Sequence, residues 1–193
     1  MNQSQSHVMA LVVLALFAFV GCRSSTPSQT AELSTPARTA PNAATSPSPY
    51  AIDTTTIPAD TKITLSRTIC YGTCPAYKLE IFANGRVVYE GEHHVRKKGH
   101  AVWQINQDRV KELITEFKKI NYFSLSDDYN FLNRRNCPTF GEDAPSVTTS
   151  ITINGRSKTV SHSHGCQDSE VLSNLEAFED RIDELADAKR LIG

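Results

Sequence analysis

The chain has 193 residues, a net charge of −1 and five cysteines. That near-neutral balance excludes a global field directed at nucleic acid or at an acidic polymer. With a leader and a linker set aside, about 130 residues remain, enough for one ordinary domain.

Val8 to Val20 is an unbroken apolar run that closes on Gly21 and Cys22. It is too short to span a bilayer, which needs roughly twenty residues, but it fits the apolar core of a secretory signal. No Lys or Arg precedes it, so the positive start of such a signal is reduced to the terminal amine and His7. The cysteine after a small residue resembles the lipobox of bacterial lipoproteins, with Phe19 standing where Leu is commonest. The resemblance implies a signal peptide over residues 1–21 and lipidation of Cys22 as the mature N-terminus. Arg23 in place of Asp implies, in a diderm bacterium, sorting to the outer membrane. The expected location is the cell envelope, lipid-anchored and facing the periplasm or the exterior.

From Arg23 to about Ala59 the chain is Ser, Thr, Ala and Pro, with Pro27, Pro36, Pro41, Pro47, Pro49 and Pro58. Such a composition buries too little apolar surface to offset ordering entropy, so residues 22–60 read as a lipidated cysteine followed by a disordered tether. A flexible coil of this length spans roughly 35 Å, more with this much proline.

Residues 61–190 read as a single domain. Ile63, Leu65 and then Ile69 alternate with polar residues as a strand, and Tyr77, Leu79 and Ile81 do so again. Asn84-Gly85 is a hairpin signal, with Val87-Val88-Tyr89 as the return strand. A fourth short strand is expected over Ala101 to Ile105. Val110, Leu113, Ile114, Phe117 and Ile120 then recur at helical spacing, with Asn106 as N-cap and Ile105 and Val110 placed as a hydrophobic staple. Asn121 to Ser146 is long and irregular, beyond the usual length of an unsupported loop. A second hairpin turns at Asn154-Gly155. The last helix is expected to bury Val171, Leu172, Leu175, Phe178, Ile182 and Leu185, with Asp168 or Ser169 as cap. Its other face, Glu176, Glu179, Asp180, Asp183 and Glu184, reads as solvated. Strands, helix, strands and helix in this order predict an α+β fold: a two-layer antiparallel sheet of about five to six strands with both helices on one face.

Setting Cys22 aside for lipid leaves Cys70, Cys74, Cys137 and Cys166, an even number in an exported chain, which reads as two disulfides. Three connectivities are possible on paper. A Cys137–Cys166 bridge would hold the long irregular segment, closing about thirty residues and contributing about 3.5 kcal/mol in the chain-entropy model.

CYGTCPAY, Cys70 to Tyr77, is the most distinctive string of the domain, and YFSLSDDY follows at Tyr122 to Tyr129. On these strings and the hairpin signal, Lys62 to Leu185 resembles an uncharacterised bacterial family of exported domains with a CYGxCPxY signature, of the domain of unknown function 6438 type. The resemblance implies an extracytoplasmic location and supplies no activity. Three readings of Cys70 and Cys74 stand side by side. A structural Cys70–Cys74 disulfide would pin the turn between two strands, worth only about 2 kcal/mol for so short a loop. Thiol–disulfide exchange would need an activating helix N-terminus or cation, whereas a strand follows. Copper binding is suggested by a likeness of CxxxCP plus a distant histidine to the copper motif of Sco-type oxidase assembly proteins, in which a helix follows.

His162, His164 and Cys166 fall on alternate residues and would share a face if the strand runs that far. Two imidazoles and a thiolate suit a soft metal, so the candidate metal ligands are Cys70, Cys74, His162 and His164. Glu92 to His100 is a local basic cluster able to touch lipid headgroups or anionic polymers, or simply a solvated turn. No GxSxG, HExxH, P-loop or GxGxxG occurs. Asp127, Asp128, Glu142 and Asp143 are loop carboxylates with no sign of acid–base pairing, and no catalytic residue is assigned. The expected protein is a non-catalytic binding or accessory module of the envelope, without cofactor. Its expected partners are the membrane, through the lipid, and an unidentified envelope protein or polymer, with no nucleic acid. The alternative is a thiol-redox or copper-handling protein that uses Cys70 and Cys74.

Overall fold

The computed structural model describes residues 56–193. The signal, Cys22 and most of the tether lie outside the described residues. The described chain runs β1 (Lys62–Arg67), β2 (Ala76–Phe82), β3 (Arg86–His93), β4 (Gly99–Gln104), α1 (Gln107–Lys119), a 3-10 turn (Tyr122–Ser124), β5 (Asp128–Tyr129), β6 (Thr139–Phe140), β7 (Ser146–Ile153), β8 (Arg156–Ser163), β9 (Cys166–Gln167), α2 (Glu170–Leu185) and α3 (Lys189–Ile192). Seven strands form one sheet in the order β4-β3-β2-β1-β7-β8-β5, and β6 pairs with β9 in a second, two-stranded sheet. The fold is α+β and mainly antiparallel, with more strands than the five to six expected from the sequence. The additions are two-residue strands in the irregular segment or just before α2, too short to leave an alternating pattern.

Period-2 alternation carries Ile63 and Leu65 of β1, Tyr77, Leu79 and Ile81 of β2, Val87 and Tyr89 of β3, and Val147 and Ile151 of β7 into one core. Val110, Leu113, Ile114 and Phe117 of α1 and Leu172, Leu175, Phe178 and Ile182 of α2 join that core. The helices meet edge to face, Phe117 against Phe178 at 4.8 Å and Phe117 against Tyr122 at 4.7 Å. Each such side chain contributes about 1.5–3 kcal/mol on leaving water. Asn106 caps α1 through its side-chain oxygen, which accepts from the Arg109 N–H at 2.9 Å. Ser169, rather than Asp168, caps α2. Ile69 lies past the end of β1 and is exposed, and Val171 points away from the core.

The two hairpins use different turns. Asn154 and Gly155 both have positive φ, 52° and 69°, and Ile153 pairs directly with Arg156, which makes a two-residue turn. At Asn84-Gly85 only Gly85 is left-handed, at φ 84°, and its N–H bonds to the Phe82 carbonyl at 2.8 Å, so a three-residue loop joins β2 to β3. The irregular segment is held at three points, on β7, β8 and β9. Tyr122 is buried with its hydroxyl 2.7 Å from the Thr149 carbonyl, β5 pairs parallel with β8, and Cys137 is bonded to Cys166. The basic loop after β3 docks its backbone on the chain end, the Arg96 and Lys97 N–H groups bonding to the Ile192 and Leu191 carbonyls.

Candidate functional site

Register places a row of side chains across the sheet beneath α2. Arg67 of β1 pairs with Tyr77 of β2 and Val147 of β7, Val147 pairs with His162 of β8, and His162 pairs with Tyr129 of β5. Arg67 continues the inward alternation of Ile63 and Leu65, and His162 continues that of Val160. Two basic side chains therefore enter the helix-covered face, where each needs an acceptor. Helix α2 supplies the acceptors one turn apart, Glu179 and Asp183.

The Arg67 guanidinium donates to Asp183 Oδ2 from Nη2 at 2.9 Å and from Nε at 3.2 Å, to Asp180 Oδ1 at 2.9 Å, and to the Tyr77 hydroxyl at 3.0 Å. Burial disfavours the Arg67 charge, but Asp183 and the neighbouring acids outweigh it and hold the guanidinium protonated. Burial pushes the Asp183 carboxyl above its ordinary value, against the pull of Arg67. Burial also pushes the Tyr77 hydroxyl far up, with Asp183 adding to the shift, so it stays a neutral phenol. Asp183 Oδ1 is buried and has no hydrogen-bond partner among the described residues.

Glu179 is only 1% exposed and accepts from both histidines, His162 Nδ1 to Oε1 at 3.0 Å and His164 Nε2 to Oε2 at 2.7 Å. Burial raises its carboxyl, and the hydrogen bonds and charge of the two imidazoles more than reverse that, leaving it below the ordinary glutamate value. His162 is buried, and its other nitrogen, Nε2, has no hydrogen-bond partner among the described residues. Glu179 and Asp183 thus correct the expectation of a solvated acidic face on α2. Glu179 lies seven residues after Leu172 and four after Leu175, inside the apolar stripe, and Asp183 follows one turn later. That spacing was the available signal, and the inward phase of Arg67 was its counterpart on β1.

A cleft of about 460 Å3 opens along this belt, lined by Arg67, Cys74, Pro75, Tyr77, His164, Glu176, Asp180, Asp183 and Lys189 among others. A larger hollow of about 670 Å3 opens beside Thr56 and Ile57 where the chain enters the domain. No buried acid or imidazole stands in it, and Arg86 in its wall lies over the Phe82 ring. Chemistry concentrates at the smaller cleft.

Of the residues singled out from sequence, Cys70 is bonded to Cys74 and Cys137 to Cys166. His162 and His164 converge, but on Glu179; the sulfur of Cys74, which lines the same cleft as His164, is taken by Cys70. Cys166 turns to Cys137 rather than to the histidines. Tyr71 on the stapled loop is 89% exposed, beside exposed Ile69. Asp127 is paired with Lys158 at the surface.

A family model described as a domain of unknown function, DUF6438, matches residues 61–186. The chain belongs to this family. The DUF6438 match covers the whole sheet, both long helices and every residue of the buried polar belt. No curated protein matches the chain.

Proposed function

We propose that this DUF6438 protein is a lipid-anchored module of the cell envelope that binds a partner in the cleft beneath α2 and catalyses no reaction. Support for the anchor is the apolar run ending in Cys22. Export is supported by the two disulfides, since such bonds persist in oxidising compartments. The observation that carries the binding reading is the acidic lining of the cleft at Asp183, whose buried Oδ1 has no donor among the described residues. An oxygen in that state is costly unless a donor reaches it. Glu176 and Asp180 stand in the same cleft, so the partner this site fits is an envelope polymer or peptide that presents an ammonium or amide N–H. Tyr77 and Arg67 are held neutral and charged by their surroundings, which suits them to fixing a shape and not to moving protons.

The test is titration of the lipid-free protein with soluble cell-wall fragments that carry free amino groups, followed by calorimetry or NMR. Binding is expected, with a loss of about tenfold on N-acetylation of the fragments or in Asp180→Asn, which removes an exposed cleft charge. Equal binding after both changes would sink the reading, as would a turnover that depends on one side chain.

Thiol–disulfide exchange or copper handling at Cys70 and Cys74 is a second reading, favoured by Cys74 sharing a cleft with His164. Strand β2 follows Cys74 almost at once, so no helix N-terminus is available to stabilise a thiolate. A Cys70–Cys74 bond that resists glutathione favours the binding module; ready reduction with copper co-purifying in proportion to protein favours this one.

A further inference from the structure

We propose that His162, His164 and Glu179 form a binding site for a divalent first-row transition-metal ion of the Zn2+ type. The site uses no cysteine, and it does not depend on the cleft holding an amino-bearing partner.

Donor chemistry comes first. Two imidazoles and one carboxylate are the ligand types that zinc takes in three-ligand sites, whereas Ca2+ and Mg2+ prefer all-oxygen shells. One ligand atom from each of the three residues lies within 4.8 Å of the others. The two imidazole–carboxylate spacings are 3.0 Å, from His162 to Oε1, and 2.7 Å, from His164 to Oε2. Ligand atoms around a tetrahedral Zn2+ stand about 3.3 Å apart for bonds of about 2.0–2.1 Å. An ion therefore asks for a local rearrangement of the cluster, in which each imidazole turns a bare ring nitrogen to the ion and keeps its proton on the other, and any imidazolium releases one proton as it binds.

Burial and charge point the same way. Glu179 offsets one positive charge of the ion. Glu176 lies 3.9 Å from the far nitrogen of His164, longer than a hydrogen bond, and adds a second negative charge near the site. His162 and Glu179 are enclosed, while the side chain of His164 is 16% exposed and lines the cleft. One ligand thus reaches the entry path, and the cleft side is left open to a further ligand such as water.

The test uses the full chain with its disulfides intact, stripped with a chelator and titrated with Zn2+ alone against a chromophoric competitor. One ion per chain is expected, weakened at least about tenfold in His164→Gln, since even an outer partner of a ligand commands that scale. His164 reaches the cleft, so this variant keeps the fold, which circular dichroism checks. The paired Cys70→Ser and Cys74→Ser variant is expected to bind as the parent does. Co2+ in place of Zn2+ is expected to give ligand-field bands without thiolate charge transfer. No binding at micromolar Zn2+, equal affinity in His164→Gln, or binding lost instead in His93→Gln/His94→Gln would overturn the proposal. None of these outcomes alters the response to amino-bearing fragments or to Asp180→Asn, so the two ideas fail separately.

Discussion

Arg67 shows how one residue can commit a fold. It is the third inward position of β1, where Ile63 and Leu65 are fully buried, and its charge is tolerable there only because Asp183 and Tyr77 meet it. Truncating one partner of a buried pair leaves the other uncompensated. Arg67→Ala is expected to cost about 3–5 kcal/mol in urea unfolding, while Arg67→Met with Asp183→Leu should recover most of that loss. Glu179 makes a different demand. Its folded carboxyl is held below the ordinary 4.5, so its contribution is complete above that pH and is lost as pH falls through the folded value. Asp183, shifted upward, acts in the opposite sense. Glu179→Gln in metal-free buffer is expected to cost about 2 kcal/mol at neutral pH. The gap to the parent should narrow below pH 4.5, read as unfolding midpoints across an acid series. A gap that widens on acidification would contradict the assignment.

At the scale of elements, the two disulfides act on segments of different length. Cys137–Cys166 spans 29 residues and ties the irregular segment to β9. Cys70–Cys74 closes a four-residue separation between β1 and β2. The paired Cys137→Ser/Cys166→Ser change is expected to lower stability by about 3.5 kcal/mol, against about 2 kcal/mol for the Cys70/Cys74 pair. Limited proteolysis should open Asn121 to Ser146 first in the former variant. Both hairpins, the N-cap of α1 and the apolar stripe of α2 were readable because each is set by residues within one or two turns of chain. The strands β5, β6 and β9 were not, because two-residue pairings take their place from the long-range bridge and not from a local pattern.

At the scale of the molecule, the proposed arrangement is an anchor, a spacer and a binding head. The spacer of about forty residues would let the cleft search roughly 35 Å or more from the lipid surface. Cys22→Ser is expected to move the protein from the membrane fraction to the soluble one, as read by fractionation and by the loss of a lipid adduct in mass spectrometry. Tight membrane association in that variant would defeat the anchor. Among the described residues no helix is long and apolar enough to cross a membrane.

Sequence alone determined what is local or periodic. The α+β class, the inward faces of the first three strands and the helix caps each follow from neighbours in the chain, and the two-disulfide count follows from composition. Tertiary structure decided the site. Glu179 and Asp183 read as polar positions on a helix until β1 and β8 bring Arg67 and His162 beneath them, whereas the expected structural disulfide between Cys70 and Cys74 is the bond the structure contains. The physical reason is that a charge on an apolar stripe is either an error or half of a pair. The other half here lies about a hundred residues away for Asp183, across a sheet whose register no local pattern encodes.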